Sequence, residues 1–105
     1  MSSDSITLDK HFIERIRERM MDDTMSEDDM RGYVHDAITY GLKICDVMNK
    51  RYKQYLLGLL KKYKYTSDIR ILDGYVYVFD AFTATAITIY QVPYWATYER
   101  NYGYY

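Results

Sequence analysis

Residues 66–92, TSDIRILDGYVYVFDAFTATAITIYQV, decide the fold. Before them apolar residues recur at helical spacing; from residue 69 they alternate, the period-two signature of strands. Ile69 and Ile71 flank Arg70, and Asp73-Gly74 follows as a hairpin pair, since a two-residue type I′ turn requires positive φ at both central positions. Tyr75–Asp80 is rich in β-branched and aromatic residues, and residues 81–84 turn the chain. Thr85 to Val92 reads as a further strand, with Ile87 and Ile89 on one face and Thr88 and Tyr90 on the other. Pro93 stops it. Three consecutive strands with short turns predict an antiparallel meander with the helices covering one face, an α+β architecture.

Upstream, the pattern predicts three helices. Residues 4–8, DSITL, alternate weakly and read as a short first strand, after which Asp9 or Thr7 caps a helix. Phe12, Ile13, Ile16 and Met20 share one side of that helix, while His11, Arg15 and Arg19 form a second stripe at i, i+4 and i+8. The polar stretch after Met21 ends it. Ser26 caps the second helix, with Glu27, Asp28 and Asp29 in the first turn, where the helix dipole favours negative charge. Met30, Tyr33, Val34, Ala37 and Ile38 form its apolar stripe, and Gly41 is expected as a left-handed cap. Residues 46–64 give the third helix. Met48, Tyr52, Tyr55, Leu56, Leu59, Leu60 and Tyr63 lie on its apolar face, and Lys50, Lys53, Lys61 and Lys64 on its flank and back. The chain of 105 residues therefore reads as one domain: mainly helical over 1–66, strands over 67–93, and an aromatic tail over 94–105.

That tail, PYWATYERNYGYY from Pro93, places Tyr94, Trp95, Tyr98 and Tyr102 on one helical face, with Gly103 at its end. Aromatic side chains of this kind anchor interfaces, so a protein partner or a second copy of the chain (a homodimer) is expected there. Packing of the tail back onto its own sheet is the other reading.

Charge is uneven around a net of −1: residues 1–46 carry six basic and eleven acidic side chains, residues 47–72 seven and one. The basic segment permits an anionic partner, with RNA expected through Lys50, Lys53, Lys61 and Lys64, although lysines on a solvated helix face produce the same pattern. Cys45 is the lone cysteine, which fits a reducing cytoplasm and a small buried or half-buried residue. No apolar run is long enough to span a bilayer, and MSSDSITLDK lacks a basic region followed by an apolar one, so neither a membrane nor a signal peptide is expected. No phosphate loop, dinucleotide-binding glycine pattern or zinc-helix motif occurs, and neither metal nor cofactor is expected. His35 lies outside the apolar stripe of its helix and is expected in solvent.

His11, Arg15 and Arg19 form the constellation with chemical content. A histidine one turn from an arginine sets a proton-transfer group beside phosphate clamps, as metal-free RNA cleavage requires. Helix-surface ion pairs among Glu14, Arg15, Arg17, Glu18 and Arg19 are the bland alternative.

His11-x-x-x-Arg15-x-x-x-Arg19, the helix start Ser26-Glu27-Asp28-Asp29 and the strand Ile87-Thr88-Ile89-Tyr90 resemble small bacterial and phage proteins of the RelE/barnase/EndoU/colicin-like (BECR) class, toxin-like members above all. The resemblance covers residues 5–41 and 69–93. It implies a RelE-like fold, a pair of helices on a small antiparallel sheet, and it implies His11, Arg15, Arg19, Thr88 and Tyr90 as site residues if the chain is a nuclease. Two functions follow as expectations. The first is a small non-enzymatic, inhibitor-like binding protein, phage-encoded, on a toxin-like fold, which the acidic first half favours. The second is a metal-independent ribonuclease toxin, which predicts that those five side chains line one cleft.

Overall fold

The computed structural model describes residues 5–96. The elements run β1 (Thr7–Leu8), α1 (Lys10–Arg19), α2 (Glu27–Tyr40), a 3-10 turn (Ile44–Asp46), α3 (Lys50–Leu60), β2 (Ser67–Leu72), β3 (Tyr75–Asp80) and β4 (Thr85–Gln91). The architecture is mixed α+β.

Each helix starts on a side-chain cap. The Asp9 carboxylate accepts the His11 N–H at 2.8 Å, Ser26 Oγ the Asp29 N–H at 3.1 Å, and Asn49 Oδ1 the Tyr52 N–H at 2.9 Å. These are N–H groups that the first helical turn leaves without intrahelical partners. The third helix is shorter than its periodicity suggests. Residues 47–49 are extended between the 3-10 turn and the Asn49 cap, so Met48 lies outside the helix and is 67% exposed rather than on its apolar face. Cys45, in the 3-10 turn, is exposed, not buried. Gly41 is not a left-handed cap: its backbone is extended (φ −71°), and a Cβ there would collide with the Ala37 carbonyl oxygen and stand 3.0 Å from that of Ile71. The glycine is needed for that close approach, where Leu42 and Ile71 exchange two backbone hydrogen bonds of 2.9 Å.

Strands β2, β3 and β4 pair antiparallel in sequence order, and Asp73-Gly74 makes the expected turn with φ of 51° and 85°. The sheet is not a three-stranded meander. β1 adds to the far side of β4 in parallel, Thr7 opposite Thr85 and Leu8 opposite Ala86, giving the order β1-β4-β3-β2. The weak alternation of residues 4–8 marked that strand, but two residues cannot announce their partner.

The helices cover both faces of the sheet, not one. α1 and α2 bury Phe12, Ile16, Met30, Val34 and Ala37 with Tyr77, Ala86 and Ile89. α3 buries Tyr52, Leu56 and Leu59 against Ile69, Ile71, Val76 and Val78 on the opposite face. Both cores are assembled from alternate positions of the same strands. One register break matters. Val78 stands opposite Thr88 but Phe79 opposite Ala86, so Ile87 is an extra residue, a β-bulge. Ile89 consequently joins the α1–α2 core, while Ile87 packs with Tyr90 against the α3 core. The two isoleucines do not share a face. Tyr33 is also displaced from its expected stripe and is 43% exposed.

Candidate functional site

Phe12 and Ile16 point α1 into the core, and that orientation turns the neighbouring stripe toward β4. β1 pairs with β4 only as far as Ala86, with a last bond from the Asp9 N–H to the Ala86 carbonyl at 3.0 Å. Where that pairing stops, a cleft of about 380 Å³ opens beside β4. His11, Arg15 and Arg19 line it from α1; Thr88 and Tyr90 line it from β4. The five residues singled out in the sequence therefore meet in one place. Asp9, Ile87 and Tyr63 complete the wall.

Tyr63 is the residue that sequence reasoning missed. Its spacing assigned it to the apolar face of α3, yet it lies beyond the helix end at Leu60, and its hydroxyl is 2.5 Å from that of Tyr90. Burial pushes the Tyr63 phenol well above its ordinary value, and the hydrogen bond to Tyr90 and that group's charge push it further. The Arg15 guanidinium, facing it across the cleft, pulls part of the way back. The signal for Tyr63 was its setting, Lys61-Lys62-Tyr63-Lys64-Tyr65, where lysines and aromatics interleave.

The ion pairs of the bland reading are present as well. Glu18 lies 3.5 Å from Arg15 and 3.7 Å from Arg19. Glu18 is more than half exposed, so these contacts hold the guanidinium groups weakly. Arg17 serves the fold instead, donating from Nε and Nη2 to the Met25 carbonyl at 3.2 and 3.0 Å.

Two further clefts meet the first at Tyr63. One, of about 410 Å³, shares Asp9, Tyr63 and Ile87 with it and adds Lys62, Lys64 and Asp80. The other, of about 580 Å³, runs along α3 past Leu57, Lys61, Lys64 and Tyr65. Lys61 and Lys64 of the expected basic set thus border this surface; Lys50 and Lys53 line none of the three clefts.

Trp95 of the tail packs onto its own domain. Its ring meets Tyr52 and Tyr55 edge-on at 6.0 and 5.8 Å, and the Arg51 guanidinium sits 4.2 Å from its centroid. Ala96 is buried beside it, whereas Tyr94 is 85% exposed. Tyr98, Tyr102 and Gly103 lie outside the described residues. His35 is partly exposed, with Nδ1 3.7 Å from the Asp36 carboxylate. Among the described residues no group of three or more His, Cys, Asp or Glu side chains is placed to hold a metal ion, and no helix is long and apolar enough to cross a membrane.

Comparison with protein-family models, curated proteins and solved structures gives no match to this chain.

Proposed function

We propose that the protein is a metal-independent ribonuclease on a RelE-like fold, with its site in the cleft between α1 and β4. One observation carries the reading: a histidine, two arginines, a threonine and a pair of hydrogen-bonded phenols converge there from three separate parts of the chain. Arg15 and Arg19, one helical turn apart, clamp the non-bridging oxygens of a phosphodiester and offset the charge of its phosphorane. His11 takes the proton of the attacking 2′-hydroxyl, imidazole being the side chain most often used as a general base. The Tyr63–Tyr90 pair carries two hydroxyl protons and uses one between them. The second is available to the leaving 5′-oxygen as the phosphorus–oxygen bond breaks, and the products are a 2′,3′-cyclic phosphate and a 5′-hydroxyl. The leaving alkoxide is a stronger base than a phenolate, so a neutral phenol of the pair gives it the proton favourably. Lys62 and Lys64 border the adjoining cleft and offer charge to a neighbouring phosphate.

The test is cleavage of a single-stranded RNA oligonucleotide by the full chain in the presence of EDTA. Cyclic-phosphate products are expected. Arg15→Ala and Arg19→Ala should each lower the rate at least tenfold, about 1.4 kcal/mol of transition-state stabilisation. A protein that cleaves neither free RNA nor ribosome-bound message, and leaves growth unaffected on expression, ends the proposal.

The non-enzymatic, inhibitor-like reading is favoured by a different observation, the exposed Tyr65 at the apolar groove of α3, with Tyr94 exposed as well. It requires that the chain with Tyr65→Ala and Tyr94→Ala keep its fold and lose self-association, measured by sedimentation.

A further inference from the structure

A separate cavity of about 320 Å³ lies on the α1–α2 side of the sheet, and its walls are of unusual composition. Tyr33 comes from α2, Tyr75 and Tyr77 from β3, and Met20 from the end of α1. Asp36 of α2 and Asp73 of the hairpin turn supply two carboxylates. None of the lining residues is a lysine or arginine. The Tyr75 hydroxyl donates to the Arg19 carbonyl at 3.4 Å, which fixes its ring beside the carbonyl end of α1. Helix C-termini carry partial negative charge, as do aromatic faces. The Asp36 carboxylate lies 3.7 Å from His35 Nδ1, while Asp73 makes no ion pair among the described residues. Burial raises the Tyr77 phenol above its ordinary value, and Tyr33, Asp73, Tyr75 and Asp36 raise it further, so both carboxylates act on the floor of the cavity.

We propose that this cavity binds the guanidinium group of an arginine side chain presented by a partner polypeptide. Rings, carboxylates and helix end all favour a cation, and a planar guanidinium stacks on tyrosine while its fork meets carboxylates. A side chain fits better than free arginine, because the lining has no cation to receive a free α-carboxylate and two anions to repel it. The site is independent of the ribonuclease reading and does not use its cleft.

The probe is the tripeptide Gly-Arg-Gly, acetylated and amidated, titrated into the full chain and followed by amide NMR shifts. Shifts are expected at Tyr33, Asp36, Asp73 and Tyr75. The same peptide with citrulline, neutral and nearly isosteric, should bind at least tenfold more weakly. Asp36→Asn with Asp73→Asn should weaken the arginine peptide at least tenfold. Asparagine tolerates the left-handed backbone at position 73, so the turn survives. Tyr33→Leu, at a partly exposed position, is a second variant and should weaken binding at least threefold. Equal binding of the citrulline peptide, or shifts confined to other surfaces, overturns the proposal. Agmatine binding without peptide binding assigns the cavity to a free cation and overturns the polypeptide partner.

Discussion

On one face of the sheet α1 and α2 together bury Phe12, Ile16, Met30 and Val34 to 1% exposure or less; on the other, α3 is the one α-helix, helped by Trp95 and by Leu42, Ile44 and Val47 of the segment before it. A single helix, about 10 Å wide, covers about two spacings of strands that lie about 4.8 Å apart, and so leaves part of a four-stranded sheet open. The uncovered strip is where the three clefts meet at Tyr63. Two helices make a closed core. One helix leaves half-buried tyrosines and bordering lysines, which is the setting a polar site needs.

That contrast can be broken by mutation. Phe12→Ala in the closed core should cost about 3–5 kcal/mol by urea denaturation, the range for a deleted core aromatic. Leu57→Ala, at the partly exposed rim of the α3 groove, should change stability by no more than about 0.5 kcal/mol. Equal costs would mean that this rim is as closed as the α1–α2 core. Trp95→Ala should fall between, about 2 kcal/mol, since it removes two edge contacts and a cation–π contact at a half-buried position.

Alkaline titration sharpens the comparison. Tyr63 and Tyr77 both have phenols raised above their ordinary value of 10.0, mainly by burial, one on each side of the sheet. In the unfolded chain they ionise near pH 10 while the folded chain holds them neutral. Their contribution to stability is therefore complete below pH 10 and is lost as pH rises past it. Absorbance at 295 nm should show these two ionising after the exposed tyrosines. The smallest expected effect is that of Arg15→Ala and Arg19→Ala on stability, within about 0.5 kcal/mol, because their ion pairs with Glu18 are solvated.

Local physics was legible in the chain. The switch of period near residue 66, the Asp73-Gly74 turn and the Ser26 cap depend on residues within a few positions of one another and stand in the structure where they were expected, and of the two caps offered for α1, Asp9 or Thr7, the structure uses Asp9. The stripe His11, Arg15, Arg19 was legible for the same reason, since helical spacing alone fixes its direction. Long-range pairing decided the rest. The parallel docking of β1 on β4 joins residues nearly eighty positions apart, and nothing within Thr7–Leu8 encodes that partner. The bulge at Ile87 is a mismatch between two strands and cannot be seen in either one, yet it sets which core Ile87 and Ile89 enter. Tyr63 reaches the cleft because α3 ends early and packs on the face where Tyr90 emerges. Helical and strand periods are local properties of a chain, whereas the place where two surfaces meet belongs to both and exists only once they have packed.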